Sequence, residues 1–244
     1  MPFTFSHPAL VLPLRKLPTH WFSMTGLILG SMLPDFEYFF RLAIRSEYSH
    51  TLAGLFWFNL PIGVLLAFIF HHAVKKTLFK NLPAFFQARF NRYLSFNWKS
   101  YFMQHPFVVL FSLLIGASSH LFWDGFTHPT GCFVEHIPLL QGTVTLWGKP
   151  FLLSKLLQHI SSGLGAVFIL AVIGKLPATS TTFSIRWSYW FTLFLLSLFL
   201  VAVRLLSGLP LTAYGHLVAT CIGALLYALL VMALCQLVRQ TFKR

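Results

Sequence analysis

Several long stretches of this chain carry almost no charge, and each is close to the ~20 residues an α-helix needs to cross a bilayer. They cover residues 52–74, 107–123, 152–173, 187–203 and 211–238. Nothing else limits the fold so strongly, because backbone N–H and C=O groups in hydrocarbon are satisfied only within a helix or a closed barrel. Unbroken apolar runs of this length predict helices. The expected fold is therefore all-α, a polytopic membrane helical bundle with about five spanning helices. Composition agrees: 57% of the 244 residues are hydrophobic and 9% charged, and the mean hydropathy is +0.73. Residues 8–17 and 20–33 are each too short to span, and a basic turn at Arg15 and Lys16 separates them. They are expected to form an N-terminal helical hairpin. The whole chain reads as one integral-membrane domain, with residues 1–130 bearing a candidate site and residues 151–240 supplying supporting helices.

Eighteen Lys and Arg against five acids give a formal net charge of +13. In a soluble chain this would point to nucleic acid, but here the basic residues cluster in loops between apolar runs. Membrane lipids with anionic headgroups are the expected partner, and nucleic acid is not. Lys75, Lys76, Lys80, Arg89, Arg92 and Lys99 crowd one loop, which the positive-inside rule assigns to the cytoplasm. Alternation of the spans puts Lys175, Arg186, Arg239, Lys243 and Arg244 on the same side. All the acids of the chain, Asp35, Glu37, Glu47, Asp124 and Glu135, then fall on the opposite side or at its boundary. So do His50, His120, His128 and His136. His7 joins them if the hairpin forms, since Ser6 can cap and Pro8 can start a helix whose outer end lies beside Pro34-Asp35. The expected location is a membrane crossed several times, with the site on the extracytoplasmic side. Cys132, Cys221 and Cys235 show no paired spacing, which argues against both a disulfide framework and a thiolate zinc site.

The stretch "SSHLFWDGFTH", residues 118–128, holds the most specific chemistry. His120 and Asp124 are four apart, so on a helix they face one way and can reach one ion, the geometry used by H-E-x-x-H metal motifs. Gly125, Thr127 and Pro129 are expected to end that helix and let His128 turn back. Imidazole and carboxylate donors together suit zinc, and also manganese or iron. Chance alone gives roughly 0.2 H-x-x-x-[DE] pairs in such a chain, so the pair by itself is weak. The case rests on convergence: His7, Asp35, His50, His120, Asp124 and His128 come from separate segments to one membrane level. Single His and Asp residues at helix ends commonly cap or anchor at headgroups. Ionisable groups near bilayer depth, by contrast, are costly and usually face the protein interior, where they pair or work.

The blocks "MPFTFSHPALVLPLRK", "GSMLPDFEYFFR", "SHTLAGLFWFNLPIG" and "GASSHLFWDGFTH", with "LLQHISSGLG" further on, resemble a bacterial membrane-protein family known as domain of unknown function 4184. The same arrangement is similar to membrane-bound metal-dependent hydrolases and, more distantly, to zinc-dependent phospholipase C. That resemblance implies a divalent metal, zinc above all, as one or two ions held by His7, Asp35, His50, His120, Asp124 and His128. Two features depart from it: Asn59 stands where an Asp would be expected, and no H-x-x-x-E pair follows downstream.

The expected function is metal-dependent hydrolysis of a phosphoester or lipid-linked substrate at the outer membrane surface. Six ligands exceed one tetrahedral ion, so two ions sharing a carboxylate are expected, with Asp124 the bridge. Asp35 or Glu37 would accept the proton of the attacking water, and Arg41 and Arg45 would clamp a phosphate. The alternative is a non-catalytic metal-binding scaffold or a transporter. Transport sites usually lie at midplane on broken helices in repeated halves, and the sequence shows no internal repeat.

Overall fold

A computed structural model describes residues 3–18, 20–180 and 183–242; Lys243 and Arg244, two of the expected cytoplasmic charges, lie outside them. The chain is all-α apart from one short hairpin, and among the described residues five helices are long and apolar enough to cross a membrane. This is a multi-pass membrane protein. Its residues gather into two compact units: Met1–Asp35, Tyr48–Val64 and His105–Val172 in the first, and Phe36–Glu47, Leu65–Gln104 and Ile173–Arg244 in the second.

The first unit opens with α1 (Pro8–Val11), flanked by 3-10 turns at Thr4–Ser6 and Leu12–Lys16. Next comes α2 (Met24–Gly30), capped where the Ser23 side chain accepts from Gly26 N. The arms of the expected hairpin are thus short, and Pro34 does not end the second. It sits instead at the second position of α3 (Leu33–Arg41), where its missing N–H costs nothing. α4 (Leu52–Asn81) follows, with π turns at Leu55–Asn59 and Phe70–Val74. It continues past the predicted end at Val74, because lysines end an apolar run without breaking a helix; Pro83 does that.

α7 (Pro106–Thr127) is the helix on which the first unit is built; α5 (Ala84–Phe90) and α6 (Trp98–Gln104) precede it in the chain. α2 lies almost backbone to backbone against α7. A Cβ on Gly30 would stand 2.4 Å from Leu113 O, and one on Gly116 would stand 2.5 Å from Leu27 O. Only small residues permit that approach. Leu27, Val109, Leu113 and Ala117 fill the seam, and Ser23 N donates to Ser112 Oγ across it at 2.8 Å. Two short helices follow, α8 (Cys132–His136) and α9 (Pro138–Gln141). A hairpin of β1 (Thr143–Leu146) and β2 (Lys149–Leu152) comes next, which a count of apolar runs could not foresee. Its two-residue loop, Trp147-Gly148, has positive φ at both positions, as a twist-matched hairpin turn requires. α10 (Leu153–Gly174) completes the unit.

In the second unit α11 (Trp187–Leu206) packs on α12 (Tyr214–Thr241) through Tyr189, Leu193 and Ala228. The α4–α5 corner is fastened by the buried amide of Gln87, which donates to Lys80 O, Leu82 O and Phe183 O and accepts from Phe183 N.

Candidate metal centre

Five side chains of the first unit converge at one buried point. His7 precedes α1, Asp35 is in the first turn of α3, His50 precedes α4, and His120 and Asp124 share a face of α7. Four of them are almost wholly enclosed, with His7 and Asp35 1% exposed, His120 0% and Asp124 8%. His50 Nε2 lies 3.6 Å from Asp35 Oδ1 and 3.8 Å from Asp124 Oδ2. His120 Nε2 lies 3.6 Å and 3.3 Å from the same two oxygens. The four atoms thus form a closed ring of alternating nitrogen and oxygen. Hydrogen bonds are shorter than nearly all of these separations. Donor atoms about 2.0–2.1 Å from a tetrahedral zinc, in contrast, stand ~3.3 Å apart.

The polar atoms turned inward have hydrogen-bonding capacity left unused. His7 Nδ1 and Nε2, Asp35 Oδ1, His120 Nε2 and Asp124 Oδ1 are buried with no hydrogen-bond partner among the described residues. Orphaned atoms of this kind ordinarily cost several kcal/mol in total, at ~1–3 kcal/mol each. His7, Asp35 and His120 form one group whose donor atoms lie mutually within 4.8 Å, and His50, His120 and Asp124 form another. The donor set, imidazole with carboxylate, fits a borderline divalent cation.

Hydrogen bonds behind these side chains set which atoms face inward. His120 Nδ1 is 2.8 Å from Ser31 O, a pure acceptor, so Nδ1 carries a proton and it is Nε2 that presents a lone pair when the ring is neutral. His50 is fixed one step less directly. Ser49 Oγ donates its single proton to Pro34 O at 2.6 Å, so it can only accept from His50 Nδ1, 3.1 Å away. Asn59 Nδ2 donates to Ser49 O at 2.7 Å and pins the same turn. A carboxylate at position 59 could not donate there, which gives the departure from the resembled pattern a physical reason. Thr4 Oγ1 donates to Asp35 Oδ2, leaving Oδ1 for the centre.

His7 occupies the other side of Asp124. Its ring stacks on His120 with centroids 3.7 Å apart, and its Nε2 is 3.7 Å from Asp124 Oδ1. Burial first, and the neighbouring His120 second, push the His7 pKa down to about 3, so the ring is neutral. His128 stands at the rim, its side chain 27% exposed, with Nδ1 3.6 Å from Asp124 Oδ1 and 3.3 Å from Asp124 O. Burial lowers its pKa as well. Asp124 therefore turns one oxygen to His50 and His120 and the other to His7 and His128.

The remaining candidates belong to the second unit and are engaged in ion pairs. Glu37 accepts from Arg41 Nε at 3.0 Å, from Ser46 Oγ at 3.1 Å and from Glu47 N at 3.0 Å. Arg41 also bonds Glu47 at 3.1 Å, and Arg45 pairs with Glu47 at 2.5 Å. Sequence reasoning missed the supporting residues Thr4, Ser31 and Ser49. Each acts through a single hydroxyl or carbonyl with no motif spacing, although Ser49 could have been suspected from its place beside His50.

No curated protein and no solved structure matches this chain. One family model does, that of the Domain of unknown function (DUF4184), over residues 1–234. With that match covering nearly the whole sequence, the chain belongs to the DUF4184 family.

Proposed function

We propose that this protein is a membrane-embedded, metal-dependent hydrolase of phosphoesters carried on lipid-linked substrates, with its centre on the extracytoplasmic side of a bacterial inner membrane. The observation that carries the reading is the ring of His50 Nε2, Asp35 Oδ1, His120 Nε2 and Asp124 Oδ2, spaced at ligand-to-ligand distances. Two imidazoles and two carboxylates favour zinc. His7, His128 and Asp124 Oδ1 offer donors for a second ion. A divalent ion held here supplies Lewis acidity, making water acidic near neutral pH and compensating phosphoryl charge.

The chain's own residues do the rest. Ser31 and Ser49 hold both imidazoles in the tautomer that presents Nε2. The buried wall around His7 and His120 excludes bulk water. A transport site is disfavoured because α7, which carries His120 and Asp124, is unbroken.

The test is turnover by zinc-loaded, detergent-purified protein on bis(4-nitrophenyl) phosphate and on phosphatidylglycerol vesicles. Wild type is expected to hydrolyse at least one of them, to stop after chelation and to recover with zinc. Asp124→Asn is expected to lose at least about 10²-fold, the upper end of what loss of a partner behind a metal ligand costs. Wild-type inactivity on both substrates with zinc bound contradicts the hydrolase reading.

A further inference from the structure

One buried polar group on α10 is unused by the metal centre. Gln158, on the second turn of α10, is 1% exposed, and its Nε2 has no partner among the described residues. The amide orientation is set from the other side. Lys155 Nζ can only donate, and it donates to Gln158 Oε1 at 3.1 Å, so the NH2 group points away from the lysine. Two N–H donors are thereby buried unused, an arrangement that costs ~1–3 kcal/mol unless something accepts from them.

The packing of α10 on α7 fixes where these donors stand. Trp123 Nε1 donates to Ser161 Oγ at 3.1 Å, and Ser6 Oγ donates to Ser162 O at 2.8 Å. Thr127, Phe126, Leu157 and Ser161 line one cavity of about 230 Å³. The two helices therefore run antiparallel, with residue 123 opposite 161 and residue 127 near 157. Lys155 and Gln158 are carried to the turn that joins Asp124 to His128.

Everything contributed from this edge is positive or a donor. The Lys155 ammonium, the Gln158 amide N–H pair and the positive end of the 22-residue helix α10 all favour an anion. The carboxylates of the centre, Asp124 nearest in the chain to this turn, oppose one, and a bound cation would cancel that opposition.

We infer that Lys155 and Gln158 form an oxyanion subsite beside the metal centre, which binds a phosphate group through the ammonium and the amide N–H donors. The inference rests on the metal reading and deepens it by placing the anionic end of the substrate at α10. Arg41 and Arg45, with Glu47 as partner, are not needed for this. The subsite binds phosphate only in the cation-loaded protein, because without the cation the Asp124 carboxylate faces the same anion.

The experiment is titration calorimetry of zinc-loaded protein in detergent with inorganic phosphate, with zinc equivalents counted on the same samples. Lys155→Met and Gln158→Leu are each expected to bind phosphate about tenfold more weakly, the loss of one charge-assisted hydrogen bond, while zinc stays at the wild-type level. Lys155→Arg is expected to stay near wild type. Unchanged phosphate binding in both disabling variants, with zinc retained, overturns the subsite and leaves the metal reading standing. Wild-type protein that takes no zinc overturns both. Should Gln158→Leu fail to fold, Lys155→Met decides alone, since the Lys155 side chain is only partly buried. Repeating the titration with dihexanoyl phosphatidic acid separates the sources: tighter binding than phosphate assigns a lipid headgroup, equal binding a free phosphate, and either supports the subsite.

Discussion

At the scale of single residues, the protein spends its few polar groups on aiming a handful of atoms. His120 would be ambiguous as a ligand without Ser31 O, and His50 would be ambiguous without the Ser49 hydroxyl, itself committed to Pro34 O. Ser49→Ala leaves His50 in place but removes the acceptor that fixes its tautomer. Zinc affinity, measured by competition with a chromophoric chelator, is expected to fall about 10–100-fold, the usual effect of losing such support. The far-ultraviolet circular dichroism should not change, because Ser49 contributes a hydroxyl and no packing volume. Wild-type affinity in this variant would show that the tautomer argument is wrong.

At the scale of elements, α7 is both a membrane span and the carrier of the H-x-x-x-D pair, and α2 lies on it only because glycines allow contact. Gly116→Leu forces side-chain atoms into the backbone of α2, where a Cβ alone already meets Leu27 O at 2.5 Å and Ser31 N at 2.6 Å. The cost is of the order of 1–3 kcal/mol or more. Ser31 also receives His120, so displacing α2 is expected to lower the thermal midpoint in detergent and weaken zinc binding together. A lowered midpoint with unaltered zinc affinity would mean that α2 does not position the centre.

Much of this was legible in the sequence. Spans were readable because hydrocarbon leaves a helix no alternative, and their predicted bounds missed only where chemistry and helicity part company. Lys75 to Asn81 is polar yet helical, and Leu211 is apolar yet precedes α12, beyond Pro210. The i, i+4 pair on α7 was readable for the same geometric reason. The N-terminal arms were not, because α2 is seven residues long and is held by packing rather than by propensity.

At the scale of the whole molecule, the asymmetry of charge gives a sidedness that can be tested directly. Lys75, Lys76, Lys80, Arg89, Arg92 and Lys99 crowd the α4–α6 region, whereas Thr130 follows the His128 turn. The native thiols Cys132, Cys221 and Cys235 are exposed and must first be replaced by Ser. In intact cells an impermeant maleimide should then label Thr130→Cys and spare Ser95→Cys; the reverse pattern would put the centre on the cytoplasmic side.

The central question is whether these imidazoles and carboxylates hold a cation. Elemental analysis of detergent-purified wild type beside His120→Ala and Asp35→Ala asks that question without assuming a substrate. About one to two equivalents of zinc are expected in the wild type, the capacity of the donor set, with loss in both variants. Equal metal in all three proteins, or none in the wild type after zinc loading, would contradict the metal centre.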